Sequence, residues 1–73
     1  MKQTTLEIIS KRQMHCNGCE HSVVFLLSEL DGIEKVEADH KTQRIEINFD
    51  PEQVLVSDMQ TALANLGYLT VEP

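Results

Sequence analysis

A chain of 73 residues with 41% hydrophobic and 25% charged side chains has material for one small domain, and a chain this short buries only about 60% of its unfolded surface. Its net charge of −6, with no tryptophan, one tyrosine (Tyr68) and two phenylalanines (Phe25, Phe49), excludes nucleic-acid binding: the charge repels phosphate, and almost no aromatic surface is available to stack on bases. No segment approaches the ~20 apolar residues of a membrane span, and Met-Lys-Gln-Thr-Thr lacks the apolar run of a signal peptide. The expectation is a cytoplasmic protein without direct membrane insertion, in a compartment that keeps thiols reduced.

Thr4 to about Arg12 alternates loosely, with Leu6 and Ile8 on one face and Glu7 on the other, which predicts a first strand. From Cys19 onward, Val23, Leu26 and Leu30 recur at helical spacing, with Phe25 and Leu27 widening the stripe or at its margins. Asp31-Gly32 then closes the helix. Ile33 to Asp39 reads as a second strand with Val36 and Ala38 inward, and His40-Lys41-Thr42-Gln43 as a polar hairpin connection. Arg44-Ile45-Glu46-Ile47-Asn48-Phe49 alternates strictly and is the clearest strand. Asp50-Pro51 breaks it, and Ser57 and Gln60 are spaced as a capping box for a second helix. Met59, Ala62, Leu63 and Leu66 form that helix's apolar face, Gly67 ends it, and Tyr68 to Val71 is a last short strand.

The order β-α-β-β-α-β, with right-handed crossovers in both halves, gives an α+β ferredoxin-like sandwich. Its four-stranded antiparallel sheet carries two helices on one face, and residues 1–73 form a single domain.

The chemistry is concentrated in Met14-His15-Cys16-Asn17-Gly18-Cys19, which holds both cysteines two residues apart. Gly18 is expected to relieve the turn between them. Unpaired N–H groups at the helix start favour negative charge, so thiolates form there at lower pH than in free cysteine. That condition serves metal capture and disulfide chemistry alike. A structural disulfide is the plainer reading, but a two-residue loop constrains little of the unfolded chain.

Met14-x-Cys16-x-x-Cys19 between a first strand and a first helix, on this plan, with Gly67-Tyr68 before the last strand, resembles the heavy-metal-associated domain. That family comprises small copper chaperones and the amino-terminal metal-binding domains of metal-pumping P-type ATPases. The resemblance implies that Cys16 and Cys19 are the metal ligands, that Met14 packs beneath the loop without binding, and that Tyr68 lies beside the thiolates. Gln13 stands where the family commonly has glycine. His15 stands where serine, threonine or aspartate is usual, which puts an auxiliary donor next to the sulfurs.

Two thiolates without a fixed third ligand suit Cu(I), whereas a closed zinc site wants four ligands, and here His15 and His21 would have to join. Zn(II), Cd(II) and Hg(II) carriers share the scaffold. His21 reads as a solvated helix residue and His40 as surface. The expected function is a Cu(I) metallochaperone that is no enzyme and that delivers its ion to a P-type ATPase, or to that pump's soluble metal-binding domain, by thiolate exchange. The start at Met1 and the stop after the last strand favour a free chaperone over a domain of a copper or Zn/Cd pump. Two exposed dithiolates sharing one ion would give a metal-bridged homodimer. Acidic residues from Glu29 to Asp39 and Asp50 to Asp58, against Lys11 and Arg12 beside the site, set the charge available for docking. The rival is a thiol-disulfide oxidoreductase, but the chain has no aromatic residue before the motif and no proline within it.

Overall fold

The computed structural model describes residues 2–73. Its elements are β1 (Lys2–Ile8), α1 (Asn17–Ser28), β2 (Ile33–Asp39), β3 (Arg44–Phe49), α2 (Val56–Asn65) and β4 (Thr70–Val71). The strands lie in the order β2-β3-β1-β4 and every pairing is antiparallel. Thr4, Leu6 and Ile8 of β1 and Ile45, Ile47 and Phe49 of β3 are buried, while Glu7 and Glu46 face outward. This period-two pattern gives the sheet one wet face and one face for the helices to cover, and the chain has the ferredoxin-like sandwich topology.

The helices contribute Val23 and Leu27, and Met59 and Leu63, all four fully buried. Spacing of four puts each pair on one stripe. Leu27 lies at the centre of α1's buried stripe rather than at its margin, Leu26 and Leu30 are half-buried beside it, and Phe25 is 69% exposed. Shortening a side chain buried like Leu27 to alanine typically costs about 2–5 kcal/mol.

Several element ends differ from the sequence expectation, each for a local reason. β1 stops at Ile8 rather than near Arg12 because Ser10 turns the chain: its hydroxyl donates to the Arg12 carbonyl (2.7 Å) and accepts the Leu69 N–H (3.1 Å). α1 begins at Asn17, two residues before Cys19, with Cys16 as its N-cap. α2 begins at Val56, and the capping box expected of Ser57 and Gln60 does not form. Instead the Asp58 carboxylate accepts the Leu55 N–H at 3.0 Å, while the Gln60 amide donates to the Thr70 carbonyl at 3.0 Å.

β4 shortens to two residues because the chain before it is used to end α2. The N–H of Gly67 donates to the Ala64 carbonyl (2.9 Å) and that of Tyr68 to the Leu63 carbonyl (3.0 Å). These are the two bonds of a Schellman ending, with Gly67 at φ +96° in the left-handed position. The motif fixes where Tyr68 stands, and this matters for the site.

Candidate metal centre

Cys16 sits at the mouth of α1 with an extended backbone, and its carbonyl accepts the N–H groups of Cys19 (3.1 Å) and Glu20 (3.2 Å). Its side chain makes no capping bond. The first turn therefore keeps its positive end open beside two sulfurs. Both thiols are free; Cys16 is exposed and Cys19 half-buried against the core. Gly18 corrects one expectation. It lies within α1 at an ordinary helical φ, so it relieves no strained turn. A β-carbon there would stand 3.6 Å from the Cys16 sulfur, so the missing side chain leaves that sulfur uncovered.

Cys19 is held below the ordinary thiol range. The largest cause is hydrogen bonding from the His15 backbone; partial desolvation works against it, and the Cys16 backbone, the Tyr68 hydroxyl and the Cys16 thiol add in the lowering direction. Tyr68 shifts the opposite way. Desolvation, then interaction with the Cys19 sulfur, pushes its phenol up, against a smaller opposing effect of Arg12. A neutral phenol beside a thiolate donates to it, so one group's shift supports the other's.

The loop ahead of the sulfurs is held by side chains from distant parts of the chain. The Gln43 amide accepts the Met14 N–H (2.9 Å) and donates to the Met14 carbonyl (2.8 Å), as a neighbouring strand would. Gln43 adopts φ +58°, a left-handed conformation uncommon outside glycine. Met14 itself is 2% exposed and packs in the core. The His40 N–H and ring Nδ1 both meet the Glu20 carboxylate at 2.7 Å, joining the β2–β3 hairpin to the first turn of α1. His40, expected at the surface, is thus half-buried. Gln43, Glu20 and His40 were not singled out from the sequence as parts of the site; their partners lie 20 to 29 residues away, and no local pattern announces them.

His15 and His21 are exposed. Among the described residues, the three-member cluster of ligand atoms converging within 4.8 Å is Glu20, Asp39 and His40, not a cluster on the cysteines. The cysteine end thus offers two sulfurs and an open side, without the closed four-ligand cage of structural zinc.

A family model for the heavy-metal-associated domain matches residues 8–68. The chain belongs to that family. This heavy-metal-associated domain is 31% identical over 68 residues to the copper chaperone CopZ of Bacillus subtilis, covering 93% of this chain and 94% of the relative. The solved structure of a CopZ metallochaperone superposes with a TM-score of 0.87 at 26% identity, covering 96% of this chain and all of the other. The apo amino-terminal domain of the zinc(II) ATPase ZiaA superposes at 0.81 and 28% identity, covering 99% and 97%. Proteins named for copper and for zinc therefore share this domain. No helix is long and apolar enough to cross a membrane among the described residues.

Proposed function

We propose that this domain carries Cu(I) between the thiolates of Cys16 and Cys19 and passes it to a partner by ligand exchange. The observation that carries the reading is the pairing of one exposed and one half-buried free thiol at an uncapped helix start. Soft thiolates select Cu(I), and two of them leave the ion under-coordinated. A partner thiolate can then add to the metal to give a three-sulfur intermediate, and one original sulfur departs. Cys16 is the sulfur a partner reaches first, because it is the exposed one. Cys19, half-buried against the core and beside Tyr68 in the same recess, is the ligand that stays longest.

The partner is a metal-transporting P-type ATPase or its soluble metal-binding domain. Support comes from the likeness to copper chaperones at 31% identity and to an ATPase amino-terminal domain. Residues 1–73 act as one carrier unit without enzymatic turnover, in the cytoplasm, where the thiols stay reduced. His15 is an auxiliary donor for divalent ions: His15→Ala should alter Zn(II) or Cd(II) binding more than Cu(I) binding. Two exposed sites can share one ion, giving a metal-bridged homodimer.

The deciding experiment is competition of Cu(I) against Zn(II) for the reduced protein, read by native mass spectrometry. One Cu(I) bound in preference to zinc supports the reading. Indifference to cuprous ions, or turnover of a disulfide substrate instead, defeats it.

A further inference from the structure

One cation stands beside the sulfurs without a carboxylate partner among the described residues. Arg12 leaves the Ser10 turn, whose hydroxyl ties the Arg12 carbonyl to the Leu69 N–H and so fixes where the side chain starts. Its guanidinium carbon lies 5.6 Å from the centre of the Tyr68 ring, within cation–π range. Its stem crosses Gly67, where a β-carbon would come within 2.7 Å of the Arg12 Cδ. The left-handed glycine that ends α2 therefore also makes the channel in which the arginine lies. Arg12, Cys16, Gly18, Cys19, Ser22 and Tyr68 line one shallow recess. Among the described residues the ion pairs are Lys35–Glu37, His40–Glu20 and Arg44–Glu7, and no carboxylate neutralises Arg12.

We propose that Arg12 is a specificity-determining residue of the metal centre, its guanidinium held on Tyr68 to offset the charge of a monovalent ion bound by two thiolates and so to favour monovalent over divalent cargo. The inference rests on Cys16 and Cys19 being the ligands. Two thiolates and one Cu(I) sum to −1, whereas two thiolates and one Zn(II) sum to zero. A fixed positive charge at the rim attracts the first complex and is indifferent, to first order, to the second. The side chain is exposed, so the attraction is screened and amounts to several-fold, not orders of magnitude. Stacking on Tyr68 keeps the guanidinium at the recess without itself binding metal, since arginine has no lone pair to offer.

The test uses the whole chain, reduced and anaerobic, as wild type, Arg12→Gln and Arg12→Lys. Cu(I) and Zn(II) affinities are measured by competition with chromophoric chelators at low and high salt. Arg12→Gln should lower the Cu(I)-to-Zn(II) affinity ratio roughly fivefold at low salt, Arg12→Lys should restore most of it, and high salt should narrow the gap. An unchanged ratio, an equal loss for both ions, or a lysine variant no better than glutamine would overturn the assignment. Wild-type protein that binds neither ion defeats the dithiolate reading, and this inference falls with it. A wild type that binds Cu(I) through both cysteines while the ratio ignores residue 12 defeats Arg12 alone.

Discussion

The two loops that lead from a strand into a helix, residues 9–16 and 50–55, occupy equivalent places in the two βαβ halves, yet they are held in opposite ways. The second loop secures itself. The Asp50 carboxylate accepts the Glu52 N–H (3.0 Å) and the Gln53 amide (2.9 Å), and Asp58 reaches back to the Leu55 N–H. Its helix mouth is closed by a carboxylate three residues into the turn, which suits the positive end of the helix. The first loop has a cysteine where a capping residue would stand, and that cysteine makes no capping bond. Beside a Ser10–Arg12 bond of its own, its order comes from outside: Gln43 on Met14 and Leu69 on Ser10, with His40 on Glu20 just past it. With the Cys16 side chain making no cap, part of the support of this helix start comes from elsewhere in the fold, which suits the proposed role of its sulfurs.

Replacing the sulfurs gives the largest effect and tests the comparison most directly. Cys16→Ser and Cys19→Ser should each abolish tight Cu(I) binding, a loss of orders of magnitude by chelator competition, with the circular dichroism unchanged. The apo proteins should then diverge. Serine at position 16 can cap α1 as cysteine does not, and should raise apo stability by about 1 kcal/mol in urea unfolding. Serine at position 19 has no such bond to make. Cys16→Ser would thus be more stable and functionally dead, the trade expected where a reactive group replaces a structural one. Tight Cu(I) binding retained in both single variants would sink the metal assignment. Equal apo stabilities would remove the claim that the open cap is a cost.

Gln43 comes next. Gln43→Asn keeps a side chain that tolerates positive φ but is one methylene too short to bridge Met14. Losing the two side-chain hydrogen bonds to the Met14 backbone should destabilise the chain by about 1–2 kcal/mol and loosen the cysteine loop. The check is faster amide exchange at Met14 and His15 with a several-fold weaker Cu(I) affinity. Asp58→Ala is the matched control on the self-held loop: about 0.5–1 kcal/mol of stability lost, with Cu(I) affinity unchanged. If the two variants moved metal affinity alike, the division between an externally held and a self-held loop would not stand.

Where the chain's own neighbours decide the outcome, the sequence shows it. The alternation of Arg44–Phe49, the glycines at 32 and 67 and the cysteine spacing are local signals, and β2 and β3 fall at the expected residues. The element order, and with it the sandwich, follows from these. The failures are also local signals, outcompeted by distant ones. Ser57 and Gln60 had the spacing of a capping box, but Asp58 was better placed and Gln60 was taken by Thr70 of β4. The first strand reads on to about Arg12 because Ser10-Lys11-Arg12-Gln13 has no turn signal of its own; the stop is a serine hydroxyl whose second partner lies 59 residues on. His40 looked like hairpin surface because Glu20 is 20 residues earlier. The cysteine pair was therefore legible as a motif, and the bonds that position it were not.

The smallest effect lies in that last contact, and pH reaches it. Glu20 is held below the ordinary carboxylate range, first by the His40 backbone N–H, then by the His40 ring, with partial desolvation opposing and charge on His40 and His21 assisting. A carboxyl whose folded pKa is depressed contributes stability that is fully present above its unfolded pKa and is lost as pH falls through the folded value. The bridge between the hairpin and α1 should therefore hold at neutral pH and weaken only below the usual carboxylate pKa. Glu20→Gln keeps an oxygen for the His40 N–H but has no charge to lose. The urea midpoint of the apo wild type should fall more steeply between pH 6 and about pH 3 than that of the variant, with both measured on the same buffer series. Parallel pH profiles would mean that the carboxylate's charge adds nothing, and that the hairpin is docked to the helix by the neutral hydrogen bonds alone. A steeper wild-type slope, with amide protection at Cys19 falling over the same acidic range, would show that the first turn of α1 is held by the charge on Glu20.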